Sequence, residues 1–279
     1  MESIEDIILR HSKRGMLKLK DHMEESYCEL AAREILSWEP GVIFLTTGFY
    51  VAGYPETDGP VGTVVLAKAL KKLGWEPVIV TDSAYTVLFT IRNIAVVPVD
   101  VNTTKDEFRN IITRYRPVGM ISVERCGINT RDDYENMRGK SIKEYNAPTD
   151  ILFELAPEYS IRTVGVGDGG NEIGMGCMAD VIQRELSLVP CRVTVDRLVI
   201  ASVSNWGAYG ITAYLSILSG LSLLMPYDDI NSYLAQTVEI GSVDGVTHER
   251  VPHVDGFSED IEKEIVDALH AEVRQRISC

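Results

Sequence analysis

The chain has 279 residues, 45% of them hydrophobic, and 27 basic against 41 acidic side chains, a formal charge of -14. That is enough chain for one large α/β domain or two small ones with an ordinary buried core. The acidic excess argues against nucleic acid and anionic membranes as partners, and no apolar run approaches the roughly 20 residues that a transmembrane helix needs. The start MESIEDIILR lacks the basic region and apolar core of a signal peptide, so a cytoplasmic location is expected. The five cysteines, Cys28, Cys126, Cys177, Cys191 and Cys279, are scattered and odd in number, which predicts reduced, mostly structural thiols.

In chain order, residues 2–37 have helical periodicity, broken near Gly15, and form an N-terminal segment (1–38) to which no chemistry is assigned. A single α/β domain is expected over 39–279. Its first strand is 42–46, followed by Thr47-Gly48-Phe49-Tyr50 and the polar loop Glu56-Thr57-Asp58-Gly59-Pro60. A helix over 61–73 then stops at Gly74, with Pro60 suited to its first turn. Strand 77–81 ends at Asp82, a helix starts at Ala84, and strand 95–99 ends at Asp100. Helix 105–115 leads to strand 118–123, which ends in Glu124-Arg125-Cys126-Gly127.

Residues 124–149 break this rhythm with a long polar stretch that includes Arg131, Asn136, Arg138 and Lys140. A loop of that length inside a compact domain predicts a lid or binding loop, and its arginines suit an anionic ligand. Helix 150–156 returns the chain to strand 161–166 and the run Gly167-Asp168-Gly169-Gly170-Asn171-Glu172, after which a helix is expected, with Asp168 and Asn171 as plausible caps. Later elements are strand 197–203, a turn at Ser204-Asn205-Trp206-Gly207, helices over 208–218 and 225–237, and a closing helix over 259–277.

Strands alternating with helices predict an α/β fold with a mostly parallel sheet, helices on both faces, and an active site at the carboxyl edge. Asp58, Asp82, Glu124 and Asp168 then converge on one mouth, where their repulsion calls for a cation. Formally, Gly165, Gly167 and Gly170 spell a dinucleotide fingerprint, but Asp168 and Glu172 stand where a pyrophosphate would sit. Hard oxygen ligands for Mn²⁺ or Mg²⁺ are the alternative: Glu56, Asp58, Glu124, Asp168, Asn171 and Glu172. Asp58 and Asp168 also suit helix caps, which would need no ion. Asp168, Glu172 and Arg125 are the candidate catalytic residues. Thr47, Gly48, Arg125, Arg131, Asn136, Arg138, Gly167, Gly169 and Gly170 are the candidate contacts to a small anionic metabolite, the glycines through backbone N–H groups. Self-association is left open.

From about residue 40 onward the chain resembles the domain family found at the C-terminus of mitochondrial D-glutamate cyclase, which also occurs as stand-alone microbial proteins. The resemblance rests on Thr47-Gly48-Phe49, Glu56-Thr57-Asp58-Gly59-Pro60, Glu124-Arg125, Tyr134-Glu135-Asn136-Met137-Arg138-Gly139 and the run from Gly165 to Gly176. In long members another domain precedes this one, and 279 residues are not expected to hold both. Three functions follow as expectations. The residues favour a metal-dependent hydrolase of small phosphomonoesters, in which an ion activates water and arginines neutralise the substrate. The resemblance implies a lyase that closes D-glutamate to 5-oxo-D-proline, and a metabolite-binding module without catalysis is the third.

Overall fold

The computed structural model describes residues 2–186 and 188–277, so Cys279 lies outside them. Three short helices replace the broken helix expected at the N-terminus: α1 (Ile4–Ile8), α2 (Met16–Lys20) and α3 (Tyr27–Leu36). Ser3 and Asp6 form a capping box on α1, each side chain satisfying backbone N–H at the other. Strand β1 (Val42–Thr46) is followed by a small hairpin, β2 (Tyr50–Val51) and β3 (Tyr54–Pro55). Then come α4 (Pro60–Lys72), β4 (Glu76–Asp82), α5 (Thr86–Thr90), β5 (Ala95–Val99), α6 (Lys105–Tyr115) and β6 (Gly119–Val123). The second half runs α7 (Asp150–Leu155), β7 (Arg162–Gly167), α8 (Ala179–Glu185), β8 (Arg197–Ile200), α9 (Ser204–Ser219), α10 (Tyr227–Ile240) and α11 (Glu259–Ile277).

Six strands form one parallel sheet in the order β5-β4-β1-β6-β7-β8. From β1 the chain winds to one side, returns, and winds to the other, which is the doubly wound order. The winding reverses between β1 and β6, where Thr46 lies opposite Ser122 and the two strands' outgoing loops diverge. A crevice at the carboxyl ends is the geometric result. On β1 the successive residues Ile43, Phe44 and Leu45 are all fully buried, as expected for a strand covered on both faces. Each such side chain contributes about 1.5–3 kcal/mol by leaving water. Helix α9 packs against α3, α4 and α11, while α6 packs against α7, so helices flank the sheet in two groups. The N-terminal helices share the hydrophobic core with the sheet through Ile4, Ile8, Leu19 and Ala31. Among the described residues no helix is long and apolar enough to cross a membrane.

Two elements depart from expectation in ways that matter for the site. The glycine run does not enter a helix at Asn171: Gly174 turns left-handed, a single 3₁₀ turn follows at Met175–Met178, and α8 starts only at Ala179. Asp168 and Asn171 are therefore not caps of a following helix. Ser204 to Gly207 is no turn either but the first turn of α9. Both differences place polar groups of the crevice where sequence periodicity has no signal.

Candidate active site

The acidic side chains arrive from four separate loops. Glu56 and Asp58 follow the β2–β3 hairpin, Glu124 follows β6, Asp168 and Glu172 follow β7, and Asp255 precedes α11. All six are buried. Oxygens of Asp58, Glu124 and Asp168 lie within 4.8 Å of one another. Glu124 holds a left-handed backbone, φ 46°, which an ordinary side chain adopts at a cost and which commonly marks a functional position. Gly59 permits the close approach: its φ is 93°, and a Cβ there would stand 2.7 Å from Thr47 Oγ1 and 2.8 Å from the Glu124 Cβ.

The start of α9 knits the acids together. Ser204 N–H donates to Asp58 Oδ2 at 2.9 Å and to Asp168 Oδ2 at 3.2 Å, while its hydroxyl donates to Glu124. Asn205 N–H donates to Asp58 Oδ1 at 2.8 Å. In return, Asn205 Oδ1 accepts from Gly59 N at 3.0 Å and Gly62 N at 2.6 Å, capping α4. Asp58 thus does act at a helix terminus, but on α9 rather than on the helix next to it in sequence. The positive end of a helix is one place where several carboxylates can converge.

Burial raises the pKa of every acid in this group for which a shift is resolved. Burial first and Asp255's charge second push Asp58 up to about 7. Glu56, Glu124 and Asp168 are pushed well above the carboxylate range, again by burial first, with neighbouring acids adding to it. Glu172 is raised by burial against the opposing hydrogen bond from Gly170 N–H. Asp168 Oδ1, Asn171 Oδ1 and Glu172 Oε1 are buried with no hydrogen-bond partner. Orphaned oxygens of this kind are costly unless a proton or a cation satisfies them, and an all-oxygen set suits a hard divalent ion. The residues therefore fit such a group.

A cleft of about 290 Å³ opens over this floor, with Glu56, Glu124, Asn171 and Asp255 below and Arg138, Lys140 and His248 among its walls. The segment carrying Arg138 and Lys140 is fixed by Asn136, whose Oδ1 accepts from both backbone N–H groups, and by Asn171, which donates to Glu135 O at 2.8 Å. Arg131 faces an adjoining cavity of about 300 Å³ that shares Asn136, Met137, Arg138 and Asn171 with the cleft. A larger cavity, about 730 Å³, opens at the amino end of β7. Its arginines are already paired, Arg162 with Glu34 and Asp196 and Arg192 with Asp132 and Glu154, and none of the converging acids reaches it. The converging acids border the smaller cleft instead.

Several expected contacts are placed otherwise. Arg125 is not on a lid but 1% exposed, donating to Thr149 Oγ1, to the carbonyls of Gly48 and Ala147, and to Asp82. Asp82 is consumed by that pair and by Ala147 N–H, so it does not join the acidic floor. Thr47 is fully buried beside Gly59, and Gly48 serves Arg125 through its carbonyl. The glycine run makes room for side chains rather than cradling an anion: Gly170 N–H is taken by Glu172, and a Cβ on Gly169 would stand 2.7 Å from Glu172 Oε1 and 3.1 Å from Asn171 Oδ1. Cys126 is buried, which raises its thiol far above the nucleophilic range, and Cys177 Sγ bonds to Val195 O. Residues 124–149 form an anchored strap, not a loose lid: Tyr134, Ile142, Cys126 and Phe49 make a small apolar cluster, and Tyr134 OH donates to Asp150 at 2.7 Å.

Residues with no assigned role complete the floor. Arg14, from the turn between α1 and α2, donates to both Asp168 and Asp255. Its only sequence signal is its place beside the helix-breaking Gly15. Ser204 and Asn205 had a better one, since polar residues after a strand suit a helix start.

The family described as D-glutamate cyclase-like, C-terminal, matches residues 4–270. The chain belongs to that family. The match begins at residue 4 rather than near 40, so it takes in Arg14 and the N-terminal helices as well as Asp58, Glu124, Asp168 and Asp255. The human mitochondrial D-glutamate cyclase is 30% identical over an alignment of 241 residues that covers 76% of this chain and 38% of that protein. This family member therefore spans well under half the length of that relative. Solved UDP-glucose 4-epimerases are far looser matches. The Thermotoga maritima enzyme is 14% identical at a TM-score of 0.31, covering 53% of this chain and 52% of that one. The Thermus thermophilus enzyme is 13% identical at 0.34, covering 83% of each. Alignments that loose carry no argument about this chain.

Proposed function

We propose that this chain is a lyase that closes D-glutamate to 5-oxo-D-proline with loss of water. Family membership supports the reading, and one observation carries it: the cleft is acidic at its floor and basic at its mouth. An amino acid with two carboxylates matches that division, its ammonium drawn to the floor and a carboxylate to Arg138 and Lys140. Closure joins the amine nitrogen to the side-chain carboxyl carbon and breaks a carbon–oxygen bond. Two protons leave the ammonium and both depart with the oxygen as water. Buried carboxyl groups with raised pKa can take and return protons near neutral pH, and Glu56, which lines the cleft outside the three-acid cluster and is raised by burial, is suited to that exchange.

Asp58, Glu124 and Asp168 would hold a divalent ion, Mn²⁺ or Mg²⁺, with Asn171 and Glu172 beside them. When bound it would polarise the carboxyl group under attack. Phosphomonoester hydrolysis has less support, because Arg125 and the Gly170 N–H group, on which it leaned, are engaged within the protein. The partner proposed is accordingly a small anionic amino acid.

Both reactions are tested on one preparation. D-glutamate, L-glutamate and an aryl phosphate are each incubated with the protein, with and without chelator. Formation of 5-oxoproline from the D-isomer alone, with the aryl phosphate inert, is the expected result. Phosphate release that a chelator stops, with no 5-oxo-D-proline, would transfer the function to the hydrolase.

A further inference from the structure

Arg14 is delivered to the floor by a turn that is held without help from its guanidinium. Arg10 and His11 reach Glu264 on α11 at 3.0 and 3.2 Å, and the Lys13 ammonium lies 4.1 Å from the centre of the Phe257 ring. Gly15 has φ 88° and packs so tightly that a Cβ would stand 2.3 Å from Leu186 Cδ2. From this mount the side chain, 24% exposed, lines the cleft and gives Nη2 to Asp168 and Asp255. The Asp168 oxygen that accepts it belongs to the group whose other oxygen is orphaned and which sits in the three-acid cluster. A divalent ion entering that cluster meets a guanidinium already on Asp168, and two cations on one carboxylate repel.

We propose that Arg14 is the resident counter-cation of the cleft. It occupies Asp168 in the free protein, yields that carboxylate to an incoming divalent ion, and stays tethered through Asp255 with its guanidinium turned to a carboxylate of the substrate. The proposal rests on the ion-binding, dicarboxylate reading of the same floor given above. It predicts effects of opposite sign. Without the guanidinium the ion binds tighter, because its competitor is gone, while the dicarboxylate binds more weakly. An arginine that merely braced the fold would weaken both.

The test is calorimetry on the full chain with Mn²⁺ alone, then with glutarate, a dicarboxylate that cannot cyclise, at saturating Mn²⁺. Wild type, R14Q, R14K and K13Q are compared. R14Q is expected to bind Mn²⁺ about tenfold tighter or more and glutarate about tenfold weaker, given the size of a close charge pair at a partly buried site. R14K keeps the charge and stays within about threefold of wild type for Mn²⁺. K13Q removes a contact of the turn but not the guanidinium, and matches wild type. Unchanged or weaker Mn²⁺ binding in R14Q, or a K13Q that tracks R14Q, overturns the proposal while leaving the ion site standing. A wild type that takes up no Mn²⁺ overturns the ion reading and this proposal together.

Discussion

Arg125 sits in the interior with four of its contacts supplied by Thr149, Gly48, Ala147 and Asp82. The four partners come from three stretches: the β1 exit, the β4 end and the far end of the 124–149 strap. The side chain therefore ties that strap to the sheet. Arg125→Met should lower stability by about 3–5 kcal/mol, because Asp82 is left buried and unpaired. Replacing Asp82 by Asn in the same chain should restore part of that loss, since the unpaired charge goes too. Urea unfolding of the two single variants and the double variant checks this. A midpoint unchanged in Arg125→Met would return Arg125 to the solvent side of the cleft. From the sequence, Glu124 reads as an ion ligand and Arg125 as a contact to the anionic substrate. Glu124 lies past the end of β6 in a left-handed conformation, and from there the acid faces the cleft while Arg125 enters the core.

Between elements, the cleft depends on how α4 and α9 meet. Their N-termini exchange caps, Asp58 for the first amides of α9 and Asn205 for those of α4. A Cβ on Gly62 would stand 2.7 Å from the Asn205 Cα, so the helices approach to backbone contact at that point. Gly62→Ala should cost about 1–3 kcal/mol by overpacking, and it should also weaken Mn²⁺ binding, because Ser204 and Asn205 must move away from Asp58. Thermal unfolding and a Mn²⁺ titration on the same sample measure both. Loss of stability with ion affinity intact would separate the helix junction from the site. The six strands of the parallel sheet were legible as short apolar runs, and Asp58, Glu124 and Asp168 as acids just past strand ends. Neither periodicity nor spacing could pair Asp58 with Ser204, 146 residues further on, because that contact is set by helix packing across the crevice. The hairpin at Tyr50–Pro55 was missed for a related reason, being two residues per strand and too short for a pattern.

At the scale of the whole molecule, the winding order places the exits of β1 and β6 on either side of one crevice, and the acids gather there from loops that span Glu56 to Asp255. The parallel α/β architecture was legible because strands and helices alternate in the sequence. The closing contributions of Arg14 and Asp255 were not, since the two residues stand 241 apart in the sequence and are joined only by tertiary packing. A floor assembled from so many loops makes a specific demand on the chemistry: loss of one central carboxylate should abolish turnover without unfolding the protein. The measurement is a nuclear magnetic resonance time course with D-glutamate labelled with ¹³C at its side-chain carboxyl carbon, using wild type and Asp168→Asn side by side in Mn²⁺. The labelled carbon is predicted to move to the lactam position of 5-oxo-D-proline with wild type and to stay put with Asp168→Asn, both proteins remaining folded. No lactam from wild type, or equal lactam from the variant, would contradict the account.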